Sequence, residues 1–186
     1  MKKIAIAFAL VVLLLAGEAF ANDLVPAGKA SIGRYVEVET PHPWSFLGST
    51  LWGQRVWTVD GMELLTFDRI SDGRPLVWSV PNIAPYKAGM TAEQLRELAL
   101  NNIQGQYTAG GVNVSPLEPA SLGGHPGIRI NYSAIQDSGL RIKGLIFLAQ
   151  HNGYLDAVRY EAPEMYFFEL HRPQIETIVA SLRFKE

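Results

Sequence analysis

Cysteine is absent from the 186 residues. No disulfide can staple the chain and no thiolate can bind a metal or attack a substrate, so stability has to come from apolar burial alone. A lipoprotein leader needs a cysteine at its cut, and that too is excluded. Charge of one sign is missing as well. The chain carries 16 Lys and Arg against 18 Asp and Glu, a formal net charge of −2. There is no basic run of the kind that holds nucleic acid, nor a polybasic patch for anionic lipid. Histidine is scarce, with only His42, His125, His151 and His171, and no two of them lie four apart as a helical zinc pair would. No Gly-x-Ser-x-Gly elbow occurs, and Ser45 and Ser49 have no nucleophile context.

Long apolar runs are limited to one. Residues 4–16 are unbroken hydrophobic sequence behind Lys2 and Lys3, and Ala19-Phe20-Ala21 follows. The run is too short for a membrane-crossing helix, which needs roughly 18–20 residues. A positive start, a short apolar stretch and small residues at −3 and −1 predict a secretory signal peptide over residues 1–21, cleaved after Ala21. The expected location is the periplasm or the medium, with no membrane anchor after cleavage. The remainder, about 165 residues with 14 basic and 17 acidic groups, is one domain's worth. Residues 22–31 read as a flexible lead-in, and residues 32–186 as a single domain.

The pattern that organises this domain lies near its end. From Gly127, Ile128, Ile130, Tyr132 and Ala134 alternate with Arg129, Asn131 and Ser133, a strand with one buried face. Residues 141–149 are apolar on both faces from their middle onward, as a central strand covered twice should be. Asn152-Gly153 then supplies the positive φ of a tight hairpin, so residues 154–161 should return antiparallel. A short aromatic helix over 164–171 and a second helix opened by Pro173 complete the run. Ile175, Ile178, Val179 and Leu182 form the apolar stripe of that second helix.

Upstream, residues 34–39 predict a strand with Val36 and Val38 inward, ended by Pro41 and Pro43. Residues 44–51 read as extended, and 54–59 with 62–68 as a hairpin about Asp60-Gly61. Residues 75–80 suggest one more short strand. Residues 91–103 predict the best-defined helix, with Thr91 and Gln94 as a capping box, Met90 and Leu95 as a staple, and Gly105 as the stop. Residues 107–119 read as a loop or irregular strand. The sum is α+β: a mostly antiparallel sheet of about five to seven strands with helices packed on it.

The run Leu122-Gly-Gly-His-Pro-Gly127, the Tyr-rich strand ending Glu161-Ala-Pro163, and Ala180-Ser-Leu-Arg-Phe184 resemble small secreted proteins of the PsbP-like α/β/α sandwich type. Val56-Trp-Thr-Val-Asp-Gly61 with Leu64, Phe67 and Asp72-Gly73 is similar to an uncharacterised family of exported bacterial proteins, many of them lipoproteins. The resemblance implies a PsbP-like sandwich and a binding or assembly role. The motifs are structural, and the lipobox cysteine of many such proteins is absent here.

Chemistry is thin. His125 and His151 fall near strand ends and could approach in space, but turn histidines are commoner than ligands, and no metal or cofactor is expected. Gly123-Gly124 precedes a strand, whereas a phosphate loop follows one and opens a helix. Asp68 and Asp72-Gly73 offer too few ligands for calcium. Paired carboxylates would have to come from separate strands. The surplus is aromatic. Trp44, Trp52, Trp57 and Trp78 lie beside prolines, glycines and Phe46, as core or as a ligand or partner groove. The expectation is a non-enzymatic exported protein that binds a protein partner or an apolar ligand in the cell envelope. The alternative is a hydrolytic enzyme acting on envelope material.

Overall fold

The structure, a computed structural model, describes residues 23–49, 55–76, 83–108 and 110–185. The leader over 1–21 with its cleavage point, Trp52, Trp78 and most of the expected strand at 75–80 lie outside the described residues.

Among the described residues the chain forms twelve strands and two helices. The strands are β1 (Asp23–Val25), β2 (Gly28–Ile32), β3 (Val36–Thr40), β4 (Trp44–Ser49), β5 (Arg55–Thr58), β6 (Leu64–Ile70), β7 (Asn113–Val114), β8 (Glu118–Leu122), β9 (His125–Ile135), β10 (Arg141–His151), β11 (Tyr154–Pro163) and β12 (Arg183–Phe184). The helices are α1 (Ala92–Gln106) and α2 (Phe167–Ser181). Nine strands make one antiparallel sheet in the order β1-β4-β5-β6-β11-β10-β9-β7, with β8 also paired to β9. β2, β3 and β12 make a separate three-stranded sheet. The class is α+β as expected, but the main sheet is larger than the five to seven strands read from the sequence. The excess comes from pieces of two to six residues, too short to show a period of their own.

β10 sits between β9 and β11, and both of its faces are buried. Leu145, Phe147 and Ala149 join one core with Val158, Tyr160, Ile175, Ile178 and Leu182. Ile142, Ile146 and Leu148 join the other with Leu95, Leu98, Ala99, Ile103 and Ile130. Each such aliphatic side chain removed from water contributes roughly 1.5–3 kcal/mol. α2 and the three-stranded sheet therefore cover one face, and α1 covers the other.

Local signals account for the hairpins and for the start of α1. Asn152 and Gly153 both take positive φ, 49° and 81°, and join β10 to β11 in a two-residue turn. Thr91 and Gln94 form the expected capping box. Three expectations are corrected. The flexible lead-in is ordered: β1 pairs with β4 and β2 with β3, and Ala30 and Ile32 alternate inward. α1 runs through Gly105 to Gln106, because Tyr107 beyond it is anchored in the core. As the irregular-strand reading of 107–119 allowed, that segment contains β7 and the start of β8, and Gly123-Gly124 turns β8 into β9. The two helices expected after residue 163 are one, with Pro173 inside it. Phe168, His171, Ile175, Ile178 and Val179 form one buried stripe across the proline. That packing holds the helix together over the hydrogen bond that Pro173 cannot donate.

A polar row crosses the middle of the sheet. Tyr132 of β9, Gly144 of β10 and Glu161 of β11 are aligned by register. A Cβ at Gly144 would fall on the Tyr132 ring, so glycine there lets the ring cross β10. The Tyr132 hydroxyl thereby donates to Glu161 Oε1, and Tyr107 donates to the same oxygen at 2.7 Å. Burial, and then the neighbouring Glu161 carboxylate, push both phenols up, so they stay protonated donors. Gly144→Ala should displace Tyr132 and leave Glu161 short of a donor. The expected loss is about 2–4 kcal/mol, read as a lower urea midpoint with an unchanged slope.

Candidate functional site

β6 and β11 pair so that Arg69 stands opposite Asp156. The pair is bidentate, with Arg69 Nε donating to Oδ1 at 2.7 Å and Nη2 to Oδ2 at 3.2 Å. Three rings surround the guanidinium: Tyr35 at 4.9 Å, Phe184 at 5.2 Å and Tyr154 at 5.6 Å from its carbon. Tyr35 comes from the β2–β3 turn, Tyr154 from the start of β11 and Phe184 from β12. Where the three-stranded sheet stands off the main sheet, these residues line a cleft of about 390 Å³. Val36, Leu122 and Leu182 supply its apolar floor, and Arg34 and Arg55 add two more guanidiniums. Asp156 is 3% exposed. Burial pushes its carboxyl up and Arg69 opposes that shift. The charge of Arg69 is thus spent inside the wall, while the Arg55 guanidinium donates to Ser49 Oγ and lies over the Phe46 ring.

His125 and His151 meet at one end of this wall, with ring centroids 4.1 Å apart, as their strand-end positions allowed. Phe184 stacks on His151 at 4.7 Å. His151 Nδ1 lies 3.8 Å from Asp156 Oδ2, too far for a hydrogen bond. Burial, and then the adjacent His125, hold His151 below its ordinary value. His151 Nδ1 is buried without a hydrogen-bond partner.

The tryptophans are placed differently from a groove. Trp44 and Trp57 are 1% and 3% exposed, their rings 6.4 Å apart in the core beneath α2. Each lies in a strand with its ring turned toward that core, so neither offers a surface to a ligand. Trp52 and Trp78 are outside the described residues. The aromatic surface belongs instead to Tyr35, Tyr154 and Phe184. Sequence reasoning missed these because they come from three distant segments with no shared pattern.

A second constellation also went unread. Asp60 and Glu63 occupy the β5–β6 turn, and His171 of α2 reaches them from above. Its Nε2 is 3.8 Å from Asp60 Oδ2 and 4.0 Å from Glu63 Oε2. Glu63 is fully buried. Its Oε1 accepts from the Val59 N–H, from Thr58 Oγ1 at 3.2 Å and from the Asp60 N–H at 3.3 Å. Burial, and next the Asp60 carboxyl beside it, push Glu63 up. The same contact pulls Asp60 down. The only sequence signal was the Asp-x-x-Glu spacing after Trp57, which reads as an ordinary turn.

These features define a PsbP-like α+β fold with a cleft between its two sheets. Solved structures share it at low identity. Cyanobacterial PsbP (CyanoP) from Synechocystis sp. is 11% identical with a TM-score of 0.54, over 91% of this chain and 96% of that one. LpqN of Mycobacterium tuberculosis, described as involved in cell envelope biogenesis, is 13% identical with a TM-score of 0.52, over 88% and 91%. A Bacteroides thetaiotaomicron protein is 8% identical with a TM-score of 0.54, over 87% of this chain but only 50% of its own length. No protein-family model and no curated protein matches the chain.

Removing Arg69 should strand the buried Asp156 carboxyl. Arg69→Met is expected to cost about 2–4 kcal/mol in urea unfolding, and adding Asp156→Asn should recover much of that loss. His151 sets a pH dependence. Its folded value lies below the ordinary 6.5, so the unfolded chain takes the proton first as pH falls. Stability should therefore decline below pH 6.5, and the difference in urea midpoint between wild type and His151→Phe should narrow or reverse from pH 7.5 to 5.5.

Proposed function

We infer that this chain is an exported binding protein of the cell envelope and that the cleft between its sheets is where it binds. The observation that carries the reading is the cleft itself. A 390 Å³ space walled by Tyr35, Tyr154 and Phe184, with Arg34 and Arg55 beside it, suits a small ligand with an apolar body and an anionic end. Aromatic faces supply contact area at little entropic cost, and the guanidiniums orient a carboxylate, sulfonate or phosphate. The envelope setting rests on the apolar leader of the sequence and on the likeness of fold to LpqN, which is described as involved in cell envelope biogenesis.

The test is titration with 1-anilinonaphthalene-8-sulfonate, a fluorescent apolar anion. Saturable enhancement at one site is expected. Tyr154→Ala and Tyr35→Ala should each weaken it about tenfold, equivalent to about 1.4 kcal/mol. Arg55→Gln should weaken it less and remove most of its salt dependence. Wild type without saturable binding, or binding indifferent to all three changes, would overturn the assignment of the cleft.

A further inference from the structure

Away from the cleft, side-chain atoms of Asp60, Glu63 and His171 face one point. Gln174 Oε1 accepts from His171 Nδ1 at 3.1 Å and also from His42 Nε2. An amide oxygen cannot donate, so His171 Nδ1 carries a proton, and Nε2 is the ring nitrogen turned toward the two carboxyls. Glu63 uses Oε1 for all three of its hydrogen bonds, which leaves Oε2 free. Glu63 Oε2 and His171 Nε2 are both buried and both lack a hydrogen-bond partner. Leaving two such atoms unpaired in the interior is costly.

The donor atoms of Asp60, Glu63 and His171 lie within 4.8 Å of one another. The Nε2 separations of 3.8 and 4.0 Å are too long for hydrogen bonds. They are close to the spacing of two atoms held by a common cation. Ligands at about 2.0–2.2 Å from a zinc ion stand about 3.3–3.6 Å apart across a tetrahedron, so binding would draw these atoms together by a few tenths of an ångström. The geometry points to a site for a divalent first-row transition-metal cation, zinc foremost, held by Asp60, Glu63 and His171.

One imidazole and two carboxylates form a donor set that suits zinc and its neighbours better than calcium, which takes oxygen throughout. The supporting contacts have the form such sites use. Gln174 fixes the His171 tautomer, and Thr58 with the Val59 amide fixes the Glu63 carboxylate. His42 stacks on Trp44 at 5.4 Å and braces Gln174 from the far side. Asp60, with its side chain 44% exposed, gives an entry path from solvent. Three protein ligands leave a position open for water or for a donor on a bound molecule.

The experiment uses the purified protein stripped with EDTA, then titrated with Zn²⁺ by calorimetry and with Co²⁺ by its visible absorption. One equivalent is expected to bind, with Co²⁺ bands of low symmetry. Asp60→Asn, which changes an exposed group and should fold normally, is expected to weaken binding at least about tenfold. His171→Gln should abolish the Co²⁺ spectrum. His125→Ala with His151→Phe should leave both readouts unchanged, since that pair is the rival imidazole site. No saturable binding by wild type would overturn the proposal. So would binding that survives Asp60→Asn and His171→Gln, or that disappears with the His125 and His151 changes. An His171 that titrates as an ordinary imidazolium partner of the carboxyls, shown by NMR without any effect of Zn²⁺, would equally overturn it.

Discussion

Neither face of β10 can be left to water. Leu145, Phe147 and Ala149 point one way, and Ile142, Ile146 and Leu148 the other. β11 repeats the condition, with Val158, Tyr160 and Ala162 against Leu155 and Ala157. A sheet with such strands at its centre needs a cover on each side. α1 supplies one cover. α2 supplies the other only in part, because a helix of fifteen residues is narrower than a nine-stranded sheet. The three-stranded sheet closes the remainder, and its Ala30, Ile32 and Val38 belong to the same core as α2.

That division of labour creates the cleft. A small twisted sheet and a large one do not meet along their whole width, and the gap opens where the β2–β3 turn stands over β6 and β11. The rings at the gap come from chain segments that meet only there. Tyr35 terminates a hairpin, Phe184 ends the chain's last strand and Tyr154 begins β11. Arg69 links them because Asp156, opposite it on the neighbouring strand, holds its guanidinium still.

Two of the buried polar arrangements depend on a residue that gives something up. Glycine at position 144 gives up a side chain so that Tyr132 can reach Glu161. Pro173 leaves a carbonyl without its helical partner, yet α2 stays continuous and brings His171 over the β5–β6 turn. The Asp60, Glu63 and His171 constellation depends on that continuity. A helix newly begun at Pro173, as the local signal proposed, would have left His171 in the preceding segment, with no fixed relation to Gln174.

Much of the fold was legible along the chain, because it follows from local physics. Alternation in β9, two-sided apolarity in β10, the Asn152-Gly153 turn and the Thr91 capping box each depend on neighbours a few residues apart. The α+β class and the PsbP-like likeness follow from their order. Short strands such as β1, β7 and β12 carry no period and become strands only because a longer partner supplies hydrogen bonds. The tryptophans illustrate the limit from the other side. Composition marked Trp44 and Trp57 as notable, but whether a large ring faces a core or a groove depends on what lies across from it. The Arg69 cage, the His125–His151 contact and the approach of His171 to Glu63 join residues 26 to 149 positions apart, and no spacing rule reaches that far. Sequence alone determined the long strands β9, β10 and β11 and the start of α1, because backbone geometry and apolar periodicity act locally. Only the tertiary structure decided which polar and aromatic groups converge, because that depends on strand register and on how two sheets and two helices are stacked.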